Sequence, residues 1–372
     1  MNTKIKTVEL KLVDPQKQAI ELGTHTGHVH EGLVLCRITS NDGTTGMSGL
    51  TTYTETAVDR SIYEAAKNVA PYIVGVSPMY MEKIHSKLNA QYNFLKSQCI
   101  SLFDIALWDL AAKRAELPLY EYIGAAKHRV PVYASLPMFP DVKGYLDSLK
   151  LIEKDPYRNV KIHPFCRLTQ DLELIDALSE KYGRRFGFYF DTEQQYGREE
   201  ALKIGKQLEQ HSCFIFFEAP ISDHDVEGYR WLRSKLDIPI VQSGIEIFSP
   251  LMIAYLLQQG VCDRLRFDVT LTGGVTAAQK LLGLAEAANL KTEIQSWGYL
   301  ITQAANLHMM LSTVSSGEFE QAMPCEPYEW GALATLRMDD EGFISPPDKP
   351  GLGIEYDWNL VDRCTMDQST YS

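Results

Sequence analysis

Two short runs of bulky apolar residues, each ending on a single carboxylate, constrain this chain more than any other feature. The first is Arg185-Phe186-Gly187-Phe188-Tyr189-Phe190-Asp191 and the second is Cys213-Phe214-Ile215-Phe216-Phe217-Glu218-Ala219-Pro220. Continuous apolar runs of this length read as strands buried on both faces, as in a parallel sheet. An acid at the C-terminal end of such a strand has no solvated face to turn to. In a (β/α) barrel it points into the mouth where ligands bind. The two acids lie 27 positions apart, which leaves room for one strand–helix unit. Hard carboxylate oxygens at neighbouring strand ends suggest a Mg2+ site. The plainer alternative is a pair of capping or salt-bridged acids.

The rest of the chain extends the same rhythm. From residue 130, strand, loop and helix repeat. Strands are expected at 130–135, 159–163, 185–191, 213–218, 238–243, 264–268 and 290–295. About seven such units run to residue 315, a count that fits a (β/α) barrel better than an open sheet. Residues 1 to about 60 read as β, with Asn41-Asp42-Gly43 as a hairpin turn. Residues 56–125 are helical in pattern, and 101–113 is apolar nearly all round, as a buried helix would be. The tail, 335–372, carries Pro346, Pro347, Pro350 and Gly351 without helical period, so it must pack on something else. Three segments are therefore expected: 1–128, 129–334 and 335–372.

A length of 372 residues fits about two domains. The formal charge of −12 argues against a nucleic-acid surface but not against a small anionic substrate, because a bound metal inverts the local field. Seven cysteines occur singly, an odd number without a CxxC pair, which suits reduced thiols in a cytoplasmic protein. The N-terminus has no apolar signal core, and no stretch approaches the roughly 20 apolar residues of a membrane span. His25, His28 and His30 are close enough to suggest a metal, but a polar loop between strands is preferred.

Reading only the strand ends gives Lys161 and His163, Asp191, Glu218, the 243–246 region, Asp268 and Gln295. Lys161 and His163 are two apart, so on a strand they face the same way. Both are possible bases where a cation or burial lowers the pKa. Bases beside acids that hold Mg2+ suggest proton abstraction next to a carboxylate, with the metal stabilising the enediolate.

At these residues the chain resembles the enolase superfamily, mandelate racemase / muconate lactonizing enzyme-like subgroup. The resemblance is carried by Phe103-Asp104-Ile105-Ala106-Leu107-Trp108-Asp109, by Asp268-Val269-Thr270-Leu271-Thr272-Gly273-Gly274 and by Pro350-Gly351-Leu352-Gly353. It implies an α/β fold, a modified TIM barrel (β/α)7β with an α+β capping domain formed by the N-terminal region and the C-terminal tail. It also implies a homo-oligomer. Asp191 and Glu218 match the first two Mg2+ ligands. At the third, Ile245 falls on the ligand position, and a slip of one residue brings in Glu246, which is taken as the ligand. His163 matches the base, and Lys161 would hold the substrate carboxylate. Asp268 usually pairs with a seventh-strand histidine, but Gln295 stands there and cannot shuttle a proton. Glu320 would hydrogen-bond the substrate carboxylate or enediolate, and Glu193 would bind substrate hydroxyls. The loops 25–30 and 49–54, represented by His25 and Thr51, would close over the substrate.

The expected function is Mg2+-dependent dehydration of a sugar acid to a 2-keto-3-deoxy acid. Alternatives are a racemase or epimerase of a hydroxy acid and a catalytically vestigial acid-binding member. A barrel glycosidase using Glu218 is a weaker rival, since it needs neither metal nor a Lys/His pair.

Overall fold

The structure is a computed structural model and describes residues 3–15, 20–21, 28–29, 31–53, 56–91 and 97–372. His25 and His30 lie outside the described residues. The chain opens with strands β1 (Ile5–Val13), β2 (Ile20–Glu21), β3 (His28–Val29), β4 (Leu33–Ser40) and β5 (Thr45–Leu50). Helices Thr56–Val69, Met81–Gln91 and Ser97–Arg114 follow.

Eight parallel strands come next. They are β6 (Val130–Leu136), β7 (Asn159–Ile162), β8 (Gly187–Asp191), β9 (Phe214–Glu218), β10 (Ile240–Val241), β11 (Arg264–Phe267), β12 (Lys291–Ile294) and β13 (Phe319–Ala322). Neighbours in sequence are neighbours in the sheet, and β13 returns to pair with β6. The Gly317 N–H donates to Thr292 O at 2.8 Å, so the segment entering β13 also ties to β12 and the sheet closes. Beyond the barrel, β14 (Phe343–Ile344) lies antiparallel on β6, and β15 (Thr365–Tyr371) lies antiparallel on β1. The outer sheet thus has the order β15-β1-β4-β5.

Period-two alternation explains why the aromatic strands end in acids. Phe188, Phe190 and Phe217 join the core between barrel and helices. Tyr189 and Phe216 point inward instead and stack with ring centroids 4.1 Å apart. Asp191 and Glu218, two residues further on, share that inward direction one layer higher.

Helix Ser97–Arg114 is buried along almost its whole length and joins the two layers through two acids. Asp104 accepts from the Thr276 N–H at 3.0 Å and Thr276 Oγ1 at 2.6 Å, gripping the N-terminus of helix Gly274–Ala287. Gly274 sits at φ +81°, and a Cβ there would lie 2.4 Å from Asp104 Oδ1, so only glycine fits. Asp109 accepts from the Met47 N–H and the Leu352 N–H, each at 2.7 Å, fastening β5 and the tail to the same helix.

Candidate active site

At the C-terminal ends of the barrel strands lies a cavity of about 230 Å³. Its lining includes Lys161, His163, Asp191, Glu193, Glu218, Glu246, Gln295 and Glu320, all named above from the sequence. Tyr53 and Arg266 also line it.

The floor is a buried network of alternating charge. The Lys161 amine is 2.8 Å from Asp191 Oδ2, 2.9 Å from Glu218 Oε1 and 3.2 Å from Glu320 Oε1. Arg266 sits behind it, with Nε 2.8 Å from Glu218 Oε1 and Nη2 2.8 Å from Glu320 Oε2. Burial alone would drive each of these carboxyls toward neutrality. For Glu320 the charges of Lys161 and Arg266 outweigh burial and hold it well below the usual carboxylate range. Asp191 is lowered too, against its burial, chiefly by the charge of Lys161. Glu218 goes the other way. Burial pushes it up to about 8, Arg266 pulling it down and the charge of Asp191 adding to the rise. Its Oε2 is buried and makes no hydrogen bond among the described residues. Glu218 is therefore the carboxylate most in need of a further cation.

His163 has a fixed tautomer. Its Nδ1 lies 2.7 Å from the Leu136 carbonyl, which only accepts, so Nδ1 carries the proton. The basic nitrogen is then Nε2, on the cavity side and 3.5 Å from Asp191 Oδ2. Gln295 is buried with an unpartnered Oε1 in the cavity wall. Glu193 and Gln194 hold left-handed backbones at φ +46° and +64°, a strained pair at the mouth. The Glu193 N–H donates to Asp191 Oδ1 at 2.9 Å, and burial raises its carboxyl against the pull of His163.

Several expected roles need correction. Lys161 does not offer a free donor to a substrate carboxylate, because its amine faces three protein carboxylates. Ionised Glu320 is acceptor-only and has no proton to give a substrate carboxylate; it braces Lys161, Arg266 and Ser135. Thr51 does not line the cavity; it is fully buried, and Tyr53 from the same loop faces the site. Glu246 stands at the rim with its side chain 49% exposed, 3.9 Å from His224. Ser243 explains this: its Oγ donates to Asp223 at 2.6 Å, and Gly244 turns at φ +71°, so the loop carries Glu246 outward. No three His, Cys, Asp or Glu side chains form a metal-ready group among the described residues. Asp191 and Glu218 remain a fitting pair of hard donors, and Glu218 Oε2 is buried without a hydrogen-bond partner among the described residues.

Sequence reasoning missed Arg266 and Tyr53. Arg266 is two residues before Asp268, and the alternation that paired Lys161 with His163 would have found it. Tyr53 had no signal beyond membership of the 49–54 loop.

The closed parallel barrel, the acids at its strand ends and the antiparallel sheet outside it define a two-part enolase-like architecture. The chain belongs to that family: residues 145–360 match the enolase C-terminal domain-like family. Residues 6–124 match the mandelate racemase / muconate lactonizing enzyme N-terminal domain. Among relatives, the L-talarate/galactarate dehydratase of Salmonella typhimurium is 29% identical over 368 residues, covering 94% of this chain and 87% of the relative. The N-succinyl-L-Arg/Lys racemase of Bacillus cereus is 24% identical over 81% of this chain and 80% of its own. A solved structure from Pseudovibrio sp., described as a mandelate racemase/muconate lactonizing enzyme, superposes with a TM-score of 0.95 at 31% identity over the whole of both chains. The L-talarate dehydratase of Polaromonas sp., complexed with Mg and L-glucarate, shares the fold at a TM-score of 0.84 and 21% identity, covering 100% of this chain and 99% of that one. No helix among the described residues is long and apolar enough to cross a membrane.

Proposed function

We propose that this protein is a lyase that removes the proton α to the carboxylate of a sugar acid and expels the β-hydroxyl, giving a 2-keto-3-deoxy acid. The observation that carries the reading is the tautomer of His163. Its Nδ1–H is committed to Leu136 O, leaving Nε2 as the ring nitrogen that can exchange a proton on the cavity side. A base so oriented contributes about 10²–10⁴-fold to a proton transfer. Dehydratases of sugar acids among the relatives support the reaction class.

Asp191 and Glu218 are the residues that would hold Mg2+. A divalent ion there supplies Lewis-acid stabilisation of the negative charge that develops when the α-proton leaves. Lys161 and Arg266 keep Glu320 ionised and fixed, and Lys161 does so for Asp191. The unpartnered Gln295 Oε1 suits a substrate hydroxyl, and Glu193 at the mouth suits another. The cavity is small and carries several charged and amide side chains, which suits a mono- or diacid sugar.

The test is a screen of the purified protein with Mg2+ against mono- and diacid sugars, detecting 2-keto acid. The expected result is at least one acid converted, with EDTA abolishing turnover. Conversion unaffected by EDTA would remove the metal from the reaction. Exchange of the α-proton with solvent without loss of water would favour an epimerase.

A further inference from the structure

Gln295 has no titratable proton, but the hydrogen bonds beside it in the cavity wall supply an acid. We propose that Tyr53 is the proton-transfer group on the β11 wall of the cavity, with Asp268 as its proton partner. This rests on the dehydration reading above.

Tyr53 Oη is 2.6 Å from Asp268 Oδ2 and 2.8 Å from the Trp297 carbonyl. The phenol has one proton, and the carbonyl can only accept. When that proton points to Trp297 O, the short contact to Asp268 is satisfied by a proton on Oδ2. When it points to Asp268, the carboxylate is ionised. The two states differ by one proton; in the first the pair carries two, so Tyr53 can give one away and regain one from Asp268 Oδ2 along the short contact. The other oxygen, Oδ1, already accepts from the Thr270 N–H at 2.7 Å, Thr270 Oγ1 at 2.8 Å and Asn306 Nδ2 at 3.0 Å. Asp268 is therefore fixed with Oδ2 turned to the phenol.

The phenol is held as firmly. Tyr53 has φ +58°, a left-handed backbone that a bulky residue adopts only under restraint. Its ring packs with Leu271, Trp297, Ala322 and Tyr328. It lines the same cavity as His163, and its partner Asp268 follows β11, which is separated from β7 by three strands along the sheet. The other lining hydroxyl, Ser243, donates to Asp223 and is a far weaker acid than a phenol.

In the reaction, His163 Nε2 takes the α-proton. The β C–O bond breaks with its electron pair on oxygen, the electrons of the former α C–H bond form the C=C of an enol, and the oxygen leaves as water with the Tyr53 proton. Asp268 returns its proton to the phenolate. On ketonisation, the β-carbon takes the His163 proton and the enol O–H returns one proton to the Tyr53–Asp268 pair, so the protein ends as it began.

The experiment follows the converted acid by proton NMR in deuterated buffer, reading water loss and α-proton exchange separately. Tyr53→Phe keeps the ring and removes the proton. It should slow water loss by about 100-fold or more while α-exchange by His163 continues. Asp268→Asn keeps the shape without a transferable proton and should show the same split, which carries the test where Tyr53→Phe fails to fold. An active wild type with an equally active Tyr53→Phe, or variants that lose exchange and water loss together, overturn the inference alone. A wild type that neither exchanges nor dehydrates any acid overturns the dehydration reading and the inference with it.

Discussion

Arg266 is the residue on which the electrostatics of the site turn. Three carboxylates and two cations meet in the barrel floor, and Glu218 is left with an unpartnered oxygen. A group that binds only the folded protein stabilises it by mass action. Mg2+ should therefore raise the unfolding free energy by about 2.7 kcal/mol at a hundred times its Kd. The rise should disappear in Asp191→Asn/Glu218→Gln. Thermal melts of both proteins with and without Mg2+ check this; an equal Mg2+ effect on both would place the ion elsewhere. Strand position was legible where a run ended on a charged residue, which is why Asp191, Glu218, Lys161 and His163 could be named from sequence. Glu246 shows where that reading stops. Its 28-residue spacing from Glu218 says nothing about a loop that Gly244 and the Ser243–Asp223 bond turn outward. Tyr53 was illegible because its partner, Asp268, is 215 residues away.

At the scale of elements, buried polar side chains fasten segments distant in sequence. Helix Leu300–Leu311 carries His308, fully buried, between the Tyr120 N–H, donated to Nδ1 at 3.1 Å, and the Leu352 carbonyl, 3.2 Å from Nε2. That arrangement needs a neutral ring, with the proton on Nε2. Burial lowers its pKa to about 4, the Leu352 carbonyl opposing only in part. The folded value lies below the unfolded one of about 6.5. Between those values the unfolded chain binds a proton that the folded chain does not, so stability is full above pH 6.5 and lost as pH falls toward 4. The loss attributable to this one residue is about 3 kcal/mol by pH 4. Urea unfolding of wild type and His308→Gln across that range measures it, and the variant should show a shallower decline. Parallel curves would assign the acid sensitivity to other groups. The helix Ser97–Arg114 was recognisable in sequence as buried, but not the reason its acids are there. Asp104 and Asp109 serve backbone N–H groups at residues 276, 47 and 352, which only the folded chain brings near.

For the whole molecule, the repeated strand–loop–helix rhythm was enough to give the barrel, because eight parallel strands leave little choice of connection. Strand ends shifted by one or two residues: β10 is only Ile240–Val241, and Asp268 lies just past β11, in the turn that lets its side chain reach Tyr53. The pairing of β1 with β15, which starts 21 positions after β14 ends, had no local signal, since a strand of alternating exposure on an edge looks like any polar tail. At the centre of the proposed reaction, His163 Nε2 is the base acting on a sugar acid in this cavity. The direct measurement is the rate of 2-keto acid formation, with Mg2+, by wild type and by His163→Asn. A fall of about 10²–10⁴-fold is expected, in a variant that still melts as wild type does and is still stabilised by Mg2+. Turnover by His163→Asn at the wild-type rate would contradict it.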